Sequence, residues 1–218
     1  GAGKMIMVKV EPVQATYDAV FGRLEKMGKE GYAREIMQNA IRETAKQAAG
    51  RLPKETRKMY TIKQKDFNNS DVKVSRVTRK RMEAILTVKG EVKSLREYRS
   101  SENGKRKGAS AMVRKDGSMK ELVDTYGGRK YKAFFATMKS GHEGMFKRNP
   151  KKNMKDKRPK PTKRIPKKKR KPREAIVDQL AMSRTKAAEV AFREEMYTDT
   201  SNELIYRLHK RMNAVIGE

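Results

Sequence analysis

Chemistry in this chain has few places to come from. There is no cysteine, which removes disulfides, thiolate metal sites and thiol nucleophiles together. The two histidines are His142 and His209, and neither has a metal ligand at helical spacing. His142 falls in a glycine-flanked turn and His209 beside an apolar helical stripe, so both read as structural. The acids stand singly among bases, and no nucleophile elbow, phosphate loop or dinucleotide fingerprint occurs. Gly1-Ala2-Gly3-Lys4 has the tail of a phosphate loop without its strand or its full glycine spacing. The expectation is a protein without catalytic residues, metal or cofactor.

The cations are different. Residues 147–173 hold sixteen Lys and Arg against one acid, Asp156, and so carry +15 of the chain's +29. Four prolines between Pro159 and Pro172 disfavour helix and leave an extended arm. Lys163, Arg164, Lys167, Lys168, Lys169, Arg170, Lys171 and Arg173 are its candidate binding residues. Closely spaced cations on an extended backbone can follow a phosphate chain, releasing counterions with little regard for base sequence. The tract contains no aromatic residue, which argues against stacking on single strands. Duplex backbone, RNA backbone and an acidic protein surface remain as targets.

Across all 218 residues, 37% are charged and 36% hydrophobic, the balance of a modest core with polar extensions. So large an excess of one sign opposes compaction unless a negative partner offsets it. No apolar stretch is long enough to span a membrane and no signal-peptide pattern appears. The protein is expected to act where it is made, in a cytoplasm or inside a particle assembled there.

Elements must position these groups. Val13, Tyr17, Val20, Phe21, Leu24 and Met27 share a helical face and predict a helix over 13–27. Tyr32, Ile36, Met37, Ala40, Ile41, Thr44, Ala45 and Ala48 predict a stronger one over 29–50, its alanines suited to packing on a sheet, with Pro53 at or past its end. The period then changes to two. Residues 81–88 alternate as a strand, with Gly90 turning into a partner near Val92 and Leu95, and 72–78 is a second strand. Ser100 to Gly108 reads as a loop. The segment after Ala111 enters a hairpin turn at Asp116-Gly117 and returns through Met119 and Leu122. Tyr126, Tyr131, Phe134, Phe135 and Phe146, among four glycines, predict a core hairpin with tight turns. Ile176, Val177 and Leu180 open an amphipathic stretch. Thr200 and Glu203 form a capping box ahead of the stripe Leu204, Ile205, Leu208, Met212, Val215 and Ile216. That stripe either completes the domain's own core or docks a neighbouring subunit. The predicted architecture is α+β, with amphipathic helices on an antiparallel sheet: a body over 1–146, the basic arm over 147–173 and a C-terminal helical segment over 174–218.

The run Ala133-Phe134-Phe135-Ala136-Thr137-Met138-Lys139-Ser140-Gly141-His142-Glu143-Gly144-Met145-Phe146-Lys147-Arg148 resembles the signature of the phage minor tail protein Z family, roughly A-F-[IV]-A-x-M-x-S-G-H-x-G-V-F-x-R. The alanine-rich helix near 40–49 and the basic-then-alternating segment at 74–88 are similar in order and character. The likeness spans 30–148 and, more loosely, the last helix. Relatives pass from this run through a short basic turn into a Leu-Pro-Ile-type segment. Here the proline-rich tract stands before Arg173-Glu174-Ala175-Ile176 instead.

The resemblance implies a structural virion protein, a tail-completion subunit repeated in a ring at the head–tail neck and made in the host cytoplasm. Its partners would be itself, other tail or neck proteins, and packaged DNA against the arm, with no membrane. Rings close through two different patches on each subunit, and the terminal stripe is one candidate. A cellular nucleic-acid-binding protein, ribosome-associated or architectural, explains the charge equally well. A scaffold whose arm binds an acidic protein does so too.

Overall fold

The computed structural model describes residues 5–12, 14–78, 82–90, 94–104, 108–153 and 174–217. The chain divides into two units. Unit 1 is Gly1–Val92 with Met182–Glu218, and unit 2 is Lys93–Ala181. Antiparallel sheets and packed helices make the protein α+β.

In unit 1 the period-two segment becomes β3 (Ala84–Lys89), with Ala84, Ile85, Leu86 and Val88 all buried. Burial of both Ile85 and Leu86 marks a strand covered on both faces, not the half-exposed strand its alternation predicts. β3 is also paired along both edges, in the order β1-β3-β2, which satisfies its backbone groups. β1 (Met5–Val10) sets Val8 opposite Leu86, and β2 (Val72–Val74) sets Val74 opposite the same residue. Of the expected partner near Val92 and Leu95, Val92 lies outside the described residues and Leu95 begins a short turn in unit 2.

α1 (Gln14–Lys26) buries Val20 and Leu24 and stacks Tyr17 on Phe21 at 6.1 Å. α2 (Ala33–Met59) buries Ile36, Met37, Ala40, Ile41, Ala45, Ala48 and Leu52. Its apolar face meets β2 and β3 and also the C-terminal helices, so the predicted packing on a sheet is half of the arrangement. The helix runs six residues past Pro53, which is buried inside it. Proline removes one N–H from the ladder. Nearby, the Thr56 hydroxyl donates to the Leu52 carbonyl at 2.7 Å.

α3 (Arg184–Ala191) starts at Ser183, whose hydroxyl accepts from the Lys186 N–H at 3.2 Å, the geometry of an N-cap. A wider helical turn over Phe192–Met196 joins it to α4 (Tyr197–Ile216). No helix therefore begins at Thr200. Thr200 is a buried mid-helix residue, and Glu203 pairs with Arg207 one turn on at 2.7 Å. The T-x-x-E spacing also suits two residues on one face of a continuing helix. Gly217, with φ 83°, ends α4, and Lys29 Nζ donates to the Val215 carbonyl at 2.6 Å.

Unit 2 holds eight described strands in three sheets, ordered β4-β5-β6, β7-β8 and β11-β10-β9. These are β4 (Arg99–Glu102), β5 (Ala109–Met112), β6 (Lys120–Glu121), β7 (Val123–Tyr126), β8 (Arg129–Lys132), β9 (Phe134–Thr137), β10 (Glu143–Asn153) and β11 (Glu174–Asp178). The Asp116-Gly117 turn forms, its Gly117 N–H donating to the Arg114 carbonyl at 3.2 Å. The expected loop from Ser100 begins inside β4. Ala109, Ala111, Ala133 and Met145 are buried together beneath Leu95, Leu122 and Phe135.

The predicted domain boundaries change accordingly. The 1–146 body is two units. Residues 147–153 belong to strand β10, 174–178 form β11 in place of an amphipathic helical start, and the remaining arm, 154–173, lies outside the described residues. Among the described residues no helix is long and apolar enough to cross a membrane.

Candidate polyanion-binding site

Residues 133–148 fold through β9, a tight turn and β10. Gly141 takes φ 81°, a left-handed conformation that glycine adopts without penalty. The turn closes through Gly141 N–H to the Met138 carbonyl and Met138 N–H to the His142 carbonyl, each 2.8 Å. Gly144 is required for space. A Cβ there would lie 2.9 Å from Phe146 Cζ and 3.2 Å from Asp178 Oδ1.

His142 Nε2 sits 2.7 Å from Asp178 Oδ2, and its ring meets Phe146 edge-on at 5.7 Å. The Ser94 hydroxyl donates to Asp178 Oδ1 at 2.8 Å and accepts from the Met145 N–H at 3.0 Å. Serine, histidine and aspartate thus share one cluster, but the aspartate stands between the other two. A nucleophile must hydrogen-bond to its base, whereas the Ser94 hydroxyl is committed to Asp178 and buried at 3% exposure. The cluster works as a clamp, tying the β9–β10 hairpin to β11 and to the chain at Ser94. Both histidines are exposed; His142 holds Asp178, and His209 lies on α4.

The same strands anchor the basic tract. β10 and β11 pair regularly from Phe146 opposite Asp178 to Asn149 opposite Ala175, then slip so that Asn153 faces Glu174. Pro150 lies in that irregularity, where its missing N–H is tolerated. Glu174, the first residue after the tract, accepts from the Tyr131 hydroxyl at 3.1 Å and lies 3.8 Å from Arg129. Burial and this bond to Glu174 raise the Tyr131 phenol above its ordinary value. Both ends of the tract are therefore fixed side by side on unit 2. Lys163, Arg164, Lys167, Lys168, Lys169, Arg170, Lys171 and Arg173 themselves lie outside the described residues.

Cations counted with the basic tract lie on described strands, and Lys130 and Lys132 were not singled out in the sequence. Lys147 pairs with Asp124, and Lys151 lies over the Tyr126 ring at 5.5 Å. Lys130, Lys132 and Arg148 line one open depression in unit 2. The signal was available in β8, where Tyr131 is buried between exposed Lys130 and Lys132: a period-two pattern that puts both lysines on one face.

The proposed interface stripe is largely core. Leu204, Leu208 and Met212 are buried, because α4 packs along α2 in unit 1. Arg207 reaches Glu43 at 2.9 Å and Gln47 at 2.8 Å, and Arg211 pairs with Glu43 as well. These contacts hold the stripe inward, so those three residues are corrected from subunit interface to own core. Val215 and Ile216 are half-buried. Ile205 alone in the stripe stays 39% exposed, beside a groove shared with Val10, Pro12, Phe192 and Tyr197. No protein family matches this chain, and no curated protein or solved structure does either.

Proposed function

We propose that this chain is a non-catalytic structural subunit of a bacteriophage tail, placed at the head–tail neck, closing into a ring and binding a polyanion through its basic tract. The observation that carries the reading is the double role of the signature hairpin. Its histidine and glycines serve packing, and its second strand supplies one of the two fixed ends of the tract. Twelve Lys and Arg against one acid lie between those ends, in residues 154–173. A segment so charged gains nothing by folding on itself, and phosphate backbone offsets it without demanding base contacts.

Two measurements test this. Electron microscopy of the purified chain should show closed rings of one size, and a monomer at every concentration would refute the ring. Binding to random-sequence duplex DNA should weaken steeply with salt. Changing Lys167, Lys168, Lys169, Arg170 and Lys171 to Gln should flatten that slope by about 0.9 per lost contact, or about 4.5 if all five touch phosphate. Unchanged affinity and slope would remove DNA from the arm and favour an acidic protein partner.

A further inference from the structure

We infer that unit 2 carries a second, preformed phosphate-binding site on its folded surface, made by Lys130, Lys132 and Arg148. This rests on the reading that the chain binds nucleic acid, and it adds a site on the described strands that the arm does not supply.

The site is built by strand geometry. Lys130 and Lys132 are alternate residues of β8, so their side chains leave the same face, about 6.8 Å apart at antiparallel strand rise. Because a duplex strand turns around the axis as it rises about 3.4 Å per nucleotide, two cations so spaced are of the order of neighbouring phosphates apart. Arg148 comes from β10, where the signature run ends. Together they border an open depression of about 460 Å³ whose remaining lining is Glu102, Gly108, Ala133 and Phe134. Gly108 helps keep it open. With φ 102°, a Cβ there would meet Glu121 Oε1 at 2.6 Å and Lys132 Cδ at 3.2 Å.

Two of the three charges are left open. Lys132 is paired with Glu121 at 2.9 Å, and the Glu102 carboxylate accepts from the Phe135 N–H at 3.4 Å. Lys130 and Arg148 are exposed, and neither has a carboxylate partner among the described residues. Other cations of the same strands are engaged: Lys147 by Asp124, Arg129 by Glu174 and the Tyr131 ring, Lys151 by the Tyr126 ring. A lysine point charge and an arginine fork left open across one depression fit a tetrahedral phosphate oxygen cluster. An acidic peptide could neutralise the same pair; the proposal commits to phosphate, and polyglutamate serves as the competing probe.

The test uses the full chain and random-sequence duplex DNA across a salt series. Lys130→Gln with Arg148→Gln should reduce the slope of log affinity against log salt by about 1.8, two contacts at about 0.9 each. Lys130→Arg with Arg148→Lys should preserve it. A charge-matched control, Arg42→Gln with Lys46→Gln on the exposed face of α2, should leave it unchanged. Thermal melts matching the wild type establish that the first pair folds. If the arm variant flattens the slope while Lys130→Gln with Arg148→Gln does not, the pocket is refuted and the arm stands. Equal flattening by the α2 control would refute it as well, since net charge alone would then explain the effect. If the wild-type chain binds polyglutamate and no DNA, the pocket falls together with the reading beneath it.

Discussion

Gly144→Ala is a single methyl group placed where the structure has no room for it. The added Cβ would stand 2.9 Å and 3.0 Å from two Phe146 ring carbons, against an ordinary separation of about 3.5–4.0 Å. Phe146 cannot easily turn away. It is 4% exposed, with Phe134 at 6.5 Å on one side and the His142 ring edge at 5.7 Å on another. Asp178, 3.2 Å from the new methyl, is held by Ser94 and His142. Overpacking of this kind costs about 1–3 kcal/mol. Alanine also lowers the entropy of the unfolded chain, which returns about 0.4–1 kcal/mol. The net expectation is a loss of about 1–2 kcal/mol in unit 2. For a unit of this size that corresponds to a fall in its melting temperature of about 5–10 °C. Differential scanning calorimetry reads it directly. Gly127→Ala is the comparison, because nothing lies within 4 Å of its Cβ position and only its φ of 54° is strained. A Gly144→Ala protein as stable as the wild type would refute the packing described around the β9–β10 hairpin.

Ile41→Asp replaces a fully buried α2 side chain with a carboxylate that has no partner there, and should cost at least about 4 kcal/mol; a soluble variant with a wild-type melt would overturn the placement of α2. His142→Ala should lose about 1 kcal/mol through the Asp178 contact, whereas His209→Ala, at an exposed site, should change stability by less than about 0.5 kcal/mol; urea titrations separate them. Because the Tyr131 phenol is raised, its neutral form stabilises the fold up to about pH 10, the unfolded value. That contribution is lost as pH rises through the folded value. A spectrophotometric titration should therefore contain a late-ionising component that Tyr131→Phe removes and Glu174→Gln moves to lower pH.

α2 was legible because its apolar residues recur at three- and four-residue steps over many turns, and a period repeated that often survives any tertiary context. β11 was not. Five residues, Glu174 to Asp178, are too few to separate strand from helix, and the pairing that decides the matter comes from β10, across the basic tract. Lys147, Lys151 and Lys152 hid the end of β10 in the same way, since their charge matched the arm that follows and Pro150 argued against a strand. The aromatics and glycines from Tyr126 to Phe146 pointed to a hairpin with tight turns. Its clamp was invisible, because Asp178 is 36 residues from His142 and Ser94 is 84 residues from Asp178. On α4 the stripe was correct and its destination open. Glu43, which draws Arg207 and Arg211 inward, is more than 160 residues away in sequence.

Unit 2 is inserted in unit 1: the chain leaves unit 1 at Val92 and rejoins it at Met182. Its two ends are bridged, Ser94 to Leu180, with the Leu95 N–H donating to the Gln179 carbonyl at 2.8 Å. This arrangement sets an order of assembly. Before unit 2 forms, α3 and α4 must find α2 across a loop of about 90 residues, an entropy of closure near 4 kcal/mol. Once unit 2 has folded, its joined ends shorten that loop to a few residues, and the search for α2 becomes local. Unit 2 would then act as the splint on which unit 1 closes, and slowing its folding should delay the docking of α4 in refolding followed by hydrogen exchange. Simultaneous protection of α4 and β3 ahead of β10 would show that unit 1 closes unaided.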